Sequence, residues 1–293
     1  MSPTALARYR ARMSRVLDYI DAHLDDELDV AHLSRVAAFS KFHFHRQFGE
    51  LLGIGVYKYV QLRRFKRAAY QLAFREEDVL QIALTNGYDG PEAFARAFKK
   101  AVGRTPSEFR REPSWNPWYA LYEPLRALRN THMTTSPTLA DVSTIDFKAT
   151  AVAVLEHRGA PALLGDSIRK FIEWRKHNAL PPRSSATFNI LYDDPTHVAP
   201  SDYRFDLCAA TARPVAPNPQ GVVSKTIPEG RCAVLRLTGS DDRLETAIRF
   251  LYSQWLPQSG EELRDFPLFL QRVKFFPDVA EHEAVLDIFL PLK

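Results

Sequence analysis

Apolar residues recur at helical spacing through the first third of the chain and alternate through much of the remainder. Val30, Leu33, Val36 and Ala37 mark one face of a short helix. The turn and cap Ala38-Phe39-Ser40 lead into a second helix, Lys41 to Leu52, in which Phe44 and Phe48 share the inward face. Val56 to Phe74 predicts a longer helix carrying Tyr59, Leu62, Phe65, Ala69 and Leu72 on one stripe. The first pattern then repeats between Asp78 and Arg110. Ile82 and Ala83 lie on an apolar face, Asn86-Gly87 breaks that helix, and Asp89-Gly90-Pro91 opens another with Phe94, Ala97 and Phe98 inward. Gly103-Arg104-Thr105-Pro106 stops it. Helix, tight turn, helix occurs twice in series, and an all-α double helix-turn-helix domain is expected over residues 1–112.

From Asp141 the period changes. Strands are expected over Ala149–His157, Phe188–Tyr192 and Tyr203–Thr211, with a helix over Ile168–Asn178. The same order follows again: a strand over Arg231–Thr238, a helix over Arg243–Trp255, then strands over Leu268–Phe275 and Ala284–Leu290. Two strand-helix-strand-strand units imply a pseudo-symmetric α+β domain over 141–293, helices on one sheet face and a groove on the other. The fold class is therefore multidomain, α and α+β. Residues 113–140 form the link. Their prolines are interspersed with Trp115, Trp118, Tyr119 and Tyr122, aromatics that a free tether seldom carries, so a docked segment is expected.

A chain of 293 residues agrees with two domains, and its charge is divided unevenly. Residues 1–112 hold 19 Lys+Arg against 14 Asp+Glu, a net of +5, and residues 113–293 hold 20 against 21, a net of −1. The basic excess sits where a phosphate backbone would require it, although such a net charge is also common on ordinary surfaces. Cys208 and Cys232 lie in apolar runs and read as buried thiols of a reducing cytoplasm; no Cys/His spacing suits a metal, and no cofactor is expected. No apolar run approaches the ~20 residues that cross a bilayer, and Met1-Ser2-Pro3-Thr4 leads directly into a basic amphipathic helix, so neither a signal peptide nor a membrane segment is expected.

In a helix-turn-helix the first helix packs across the second, whose N-terminal turns enter the major groove; in the second unit this spacing turns Glu92, Ala93 and Arg96 outward. Val56–Phe74 would be ~27 Å long at ~1.5 Å per residue, enough to hold two recognition helices about one duplex turn, ~34 Å, apart. One chain would thus read two successive grooves of double-stranded DNA.

The run Ser40-Lys41-Phe42-His43-Phe44-His45-Arg46-Gln47-Phe48, then Gly53, Tyr59, Arg63 and Ala68, then Ile82-Ala83, Gly87-Tyr88, Phe94, Arg96 and Phe98-Lys99, and finally Gly103-Arg104-Thr105-Pro106-Ser107-Glu108-Phe109-Arg110, resembles the AraC/XylS family of transcription regulators. With this module N-terminal, the layout is similar to the Rob-like branch. The resemblance places base-edge contacts on Phe42, His45 and Arg46. Arg46 would meet guanine O6 and N7, Phe42 a thymine methyl, and His45 would donate or accept; Glu92 would accept from cytosine N4 and Arg96 would reach a base or a phosphate. Lys41 and Arg104, beside helix ends, are the preferred backbone contacts among the cations Lys41, Lys58, Arg63, Arg64, Lys99, Arg104 and Arg110.

The second half resembles the GyrI-like effector-binding domain through Tyr192-Asp193-Asp194-Pro195, Phe205-Asp206-Leu207-Cys208, Trp255-Leu256-Pro257-Gln258-Ser259-Gly260 with Phe266-Pro267, and the closing Asp287-Ile288-Phe289-Leu290-Pro291-Leu292. Two positions depart: Leu270 stands where the family commonly has glutamate, and Arg272 where tyrosine is expected. Asp287 keeps one acidic position in a shorter form. If Ile288 and Leu290 pack under the helices, Asp287 and Phe289 face the groove. With Tyr192 and Trp255 they form the expected ligand wall, an aromatic surface with one carboxylate suited to a flat or cationic molecule. For each of these aromatics plain core packing is the competing assignment, and Asp287 has Arg236 as a competing partner. Trp174 is assigned to the core.

The leading reading is a cytoplasmic DNA-binding transcription regulator, an activator, working with RNA polymerase and modulated by a small-molecule effector. Two alternatives stay open: the second domain as a protein-interaction module without a ligand, or as a GyrI-like hydrolase. The departures at Leu270 and Arg272 remove the acid/base pair hydrolysis would use, and the chain is assigned as no enzyme.

Overall fold

The computed structural model describes residues 3–115, 122 and 137–293, which fall into two units. Unit 1 takes Met1–Thr135 with Phe276–His282, and unit 2 takes Ser136–Phe275 with Glu283–Lys293. Of the linking aromatics, Trp118 and Tyr119 lie outside the described residues.

Unit 1 is helical: α1 (Pro3–Ala22), α2 (Val30–Val36), α3 (Lys41–Leu52), α4 (Val56–Phe74), α5 (Val79–Thr85), α6 (Pro91–Val102) and α7 (Pro106–Arg111). Asp29, Ser40, Asp78 and Thr105 each accept from the backbone N–H three residues on, which satisfies a donor the helix start would leave unpaired. Gly53 and Gly103 end α3 and α6 in the left-handed conformation, a position at which a Cβ would be strained. The α2–α3 and α5–α6 turns share one backbone pattern. Phe39 N–H donates to the Ser34 carbonyl and Tyr88 N–H to the Ala83 carbonyl, over a left-handed residue that is Ala38 in one turn and Gly87 in the other.

A single core joins both repeats to α4. Phe44, Phe48 and Tyr59 pack edge to face on the first side, with Phe65, Phe94, Phe98 and Phe109 on the second. Trp115 stacks on Phe74 and is buried with Tyr70 and Phe109, so the described start of the linking segment is docked. Buried charge accompanies this core. Arg63 donates to Asp21 at 2.6 Å and to the Tyr122 hydroxyl at 2.6 Å, and it pairs with Glu281, which also accepts from Lys66 at 2.6 Å. Burial opposes the Arg63 charge, and the Asp21 carboxylate together with Tyr122 and Tyr59 outweighs it, holding the guanidinium above its ordinary pKa.

Unit 2 is built on one antiparallel sheet. Its strands are β1 (Val142–Phe147), β2 (Thr150–Arg158), β3 (Thr187–Leu191), β4 (Arg204–Ala210), β5 (Val223–Ile227), β6 (Gly230–Thr238), β7 (Leu268–Lys274) and β8 (Val285–Pro291), in spatial order β1-β6-β8-β7-β3-β4-β2-β5. Helix α8 (Leu164–His177) and helix α9 (Leu244–Phe250) lie on the same face; α9 runs on through a π turn, Leu251–Trp255, to a last α turn, Leu256–Ser259. Period-2 alternation sorts the side chains. Leu155, Leu207 and Ala209 pack with Phe171 and Trp174 of α8, while Leu235, Leu270, Leu286, Ile288 and Leu290 pack with Phe250, Leu251 and Trp255.

Candidate nucleic-acid interface and effector face

Helix α3 divides cleanly. Phe44, Phe48 and Leu52 are buried, and Lys41, Phe42, His45 and Arg46 are exposed, Phe42 at 87 %. An aromatic ring that large, turned to solvent beside two cationic side chains, contributes nothing to the fold. Helix α6 repeats the division with Phe94, Phe98 and Val102 inside and Glu92, Ala93, Arg96, Lys99 and Lys100 outside. Its start lacks the side-chain cap that Ser40 gives α3; Gly90 and Pro91 open it instead. Arg104 is half-buried and donates to the Glu112 carbonyl at 2.9 Å and to its carboxylate at 3.0 Å, which fixes it beside α7.

Two cations grouped with the backbone contacts serve the fold instead. Arg63 is 2 % exposed inside the ion cluster, beyond reach of a phosphate. Arg64 is half-buried and donates to the carbonyls of Leu24 at 2.8 Å, Asp26 at 2.8 Å and Gly87 at 3.3 Å, tying α4 to the second turn. Beside it Asn86 donates to Gln71 at 2.7 Å and accepts from Arg67 at 3.0 Å. These polar ties hold α5 and α6 on α4.

In unit 2 the face away from the helices carries Asp287 and Phe289, as alternation from Ile288 and Leu290 requires. Much of that face is filled by the protein's own rings. Phe269 and Phe289 stack at 4.8 Å between centroids, and Phe147 packs against both at 4.9 and 5.5 Å, with Phe188 and Phe266 beside them. Cys208 and Cys232 are free thiols in the same cluster, and burial raises the pKa of each. The open groove expected there is thus packed in this part.

The four residues expected to form the ligand wall do not come together as one surface. Trp255 belongs to the helix-side cluster, across the sheet from Phe289, because its position on the π turn points it into the α9 core. Asp287 accepts two hydrogen bonds at 2.7 Å from Arg236, so its charge is already answered. Tyr192 donates its hydroxyl to Asp206 at 3.0 Å, with the guanidinium carbons of Arg158 and Arg204 at 5.4 and 5.3 Å from its ring centroid.

That tyrosine belongs to an ionic network outside the sequence-based assignment. Asp206, wholly buried, also accepts from Arg158 and Lys225 at 2.9 Å each; Lys225 further pairs with Glu156, and Arg204 with Asp193. Partial burial pulls the Lys225 pKa down, and the hydrogen bonds to Glu156 and Asp206 outweigh that, leaving it raised. Desolvation, then the Asp206 charge, push the Tyr192 phenol up. Among the described residues no group of His, Cys, Asp and Glu is arranged for a metal ion, and no helix is long and apolar enough to cross a membrane.

Residues 140–293 match the model of the GyrI-like small molecule binding domain, over half of the chain. The chain belongs to the GyrI-like family. A relative, the probable transcriptional regulator YgiV of Escherichia coli (strain K12), is 38 % identical over 153 residues, which cover 52 % of this chain and 96 % of that protein. Residues 33–112 match a helix-turn-helix domain, so unit 1 carries an AraC-type DNA-binding module ahead of the GyrI-like half, the Rob-like order. The right origin-binding protein of the same organism is 33 % identical over 111 residues, 38 % of each chain. Among solved structures, an EcmrR–DNA complex is similar with a TM-score of 0.44 and 14 % identity, over 90 % of this chain and 98 % of that one.

Within the GyrI-like half the two departures can now be placed. Leu270 is fully buried in the helix-side cluster among aliphatic side chains. Arg272 lies on the same face of β7 and donates to Asn189 at 2.9 Å and to Asp241 at 2.7 Å. The signal that would have revealed the Asp206 network is cross-strand register: Glu156 stands opposite Asp206, and Lys225 opposite Val152 on the far edge. No spacing along the chain encodes that pairing.

Proposed function

We propose that this DNA-binding transcription regulator is an activator that reads two successive major grooves, α3 in one and α6 in the next, and that its GyrI-like half, residues 141–293, senses a small molecule. The observation that carries the DNA reading is the outward set on α3. Lys41, Phe42, His45 and Arg46 are exposed together while Phe44, Phe48 and Leu52 anchor the helix. Arg46 and His45 supply base-edge hydrogen bonds, Phe42 an apolar contact, Glu92 and Arg96 the contacts of the second groove, and Lys41 and Arg104 the phosphates. As an activator the protein acts in the cytoplasm beside RNA polymerase. The relative's name, a probable transcriptional regulator, supports a regulatory over an enzymatic role.

The test is enrichment of duplexes from a random pool by the full chain, followed by anisotropy titration of an enriched against a scrambled duplex. Two conserved half-motifs ~10 bp apart are expected, and Arg46→Ala should cost ~1–3 kcal/mol on the enriched duplex. Equal affinity for both duplexes at physiological salt would sink specific recognition, and a single half-motif would sink two-groove reading.

A second reading for the GyrI-like half draws on the ring cluster of Phe147, Phe188, Phe269 and Phe289, which fills much of the face opposite the helices and favours a protein-interaction module over a sensor. Thermal melting of the full chain with cationic, neutral and anionic aromatic compounds separates the two. A bound effector at 100-fold its Kd adds ~2.7 kcal/mol. A cationic hit requires Asp287 to exchange Arg236 for the ligand, whereas an anionic hit uses Arg236 itself. No stabilisation by any class supports the interaction module.

A further inference from the structure

Helix α1 has a polarity that the two helix-turn-helix repeats leave unused. Between Pro3 and Leu17 it carries Arg8, Arg10, Arg12 and Arg15 and no acidic residue. At ~100° per residue, Arg8, Arg12 and Arg15 fall within a stripe ~60° wide, and Arg10 lies on the far side. The apolar side of the helix, Met13, Val16, Leu17 and Ile20, is buried in the unit 1 core. Arg8 and Arg15 are exposed, and none of the three stripe arginines forms an ion pair with a described carboxylate.

Arg12 fixes where this stripe sits. Its guanidinium carbon lies 5.4 Å from the Phe39 ring centroid, and its Nη1 is 3.5 Å from the Ala38 carbonyl. Ala38 and Phe39 form the turn that delivers Ser40, the cap of α3. A recognition helix enters a major groove at its N-terminal end, and the walls of that groove are phosphates. Arg12 is therefore held beside the point at which one wall passes, and Arg8 and Arg15 extend the positive line by about one helical turn each way, ~6 and ~4.5 Å along the axis.

We propose that Arg8, Arg12 and Arg15 bind the phosphate backbone of double-stranded DNA flanking the groove that α3 enters. This rests on α3 being a recognition helix. A basic amphipathic helix can also lie on an anionic membrane, but only by burying its apolar face in the bilayer, and here the protein core occupies that face. The stripe adds affinity without sequence preference, because phosphates are alike at every site.

Phosphate contacts are read by salt, so no operator is needed. Binding of the full chain to a random-sequence duplex is followed by anisotropy across a salt series, and log Kobs is plotted against log salt. Each phosphate neutralised contributes ~0.9 to the slope. The Arg8→Gln/Arg12→Gln/Arg15→Gln triple variant should lose ~2.7 from its magnitude, Arg10→Gln should lose nothing, and the corresponding triple lysine variant should keep the wild-type slope. Arg8→Gln/Arg15→Gln leaves the docked Arg12 in place and should lose ~1.8, which guards against a packing defect at Phe39. A wild-type slope in both glutamine variants overturns the proposal while the DNA reading stands. An equal loss from Arg10→Gln overturns the assignment to one stripe. Absence of any duplex binding by the wild-type chain overturns the DNA reading and this proposal with it.

Discussion

The turn between α2 and α3 and the turn between α5 and α6 make the same backbone hydrogen bonds, yet they place different residues at the left-handed position. Ala38 has φ 53° and Gly87 has φ 72°. Conformation alone would favour glycine at both, since a Cβ there costs ~1–2 kcal/mol. The difference comes from the surroundings. A Cβ on Gly87 would collide with the Arg64 guanidinium and come within 2.8 Å of the Leu24 carbonyl, and Arg64 is the tie that holds this turn to α4. In the first repeat the turn has one long contact of this kind among the described residues, Arg12 Nη1 to the Ala38 carbonyl at 3.5 Å, and the packing of Phe44, Phe48 and Tyr59 holds the helix below it. Both copies share the apolar core, and the second adds polar bonds at close quarters to its turn.

Four changes test this contrast, from the largest effect down. Phe48→Ala should remove ~3–5 kcal/mol from unfolding free energy by opening a cavity under α3; a denaturant midpoint close to wild type would mean that packing is not what holds that repeat. Gly87→Ala combines left-handed backbone strain of ~1–2 kcal/mol with loss of Arg64 hydrogen bonds at ~1–3 kcal/mol, so a melting temperature within error of wild type would remove the close-approach argument. Glu92→Ala should weaken binding to an enriched duplex by less than Arg46→Ala does, that is by under ~1–3 kcal/mol; the reverse order would make the second helix the dominant reader. Ala38→Gly relieves strain in an open turn and should raise stability by at most ~1 kcal/mol, whereas destabilisation would show that Ala38 makes a contact the turn geometry does not suggest.

The helices of unit 1 were readable because each buries a single stripe against one core, and the 3.6-residue period records that stripe. The same logic separated the outward faces of α3 and α6 from their buried ones. It failed for Arg63, whose burial depends on Asp21, Tyr122 and Glu281, residues far away in sequence. In unit 2 the six inner strands were legible, and β1 and β5 were not. Those two are the sheet edges, and their side chains are mostly exposed, so neither shows the alternation that one-sided burial writes into a sequence. The helix expected over Arg243–Trp255 runs on to Ser259 through a π turn; Pro257, which has no N–H to donate, follows that turn. The candidate effector residues were the least legible part. Alternation put Asp287 and Phe289 on one face, but which neighbours answer them is set by register between strands, as Arg236 opposite Asp287 shows.

Unit 1 is completed by Phe276–His282, residues that follow most of unit 2 along the chain. A gene fusion that exchanged everything beyond the linking segment for a foreign sensor would therefore also discard Glu281, leaving Arg63 and Lys66 buried with a carboxylate missing, an omission that costs ~3–5 kcal/mol when one partner of a buried pair is lost. Recombination in this lineage is constrained accordingly: a new partner domain must bring its own acidic loop, or α4 must shed its cations in the same step.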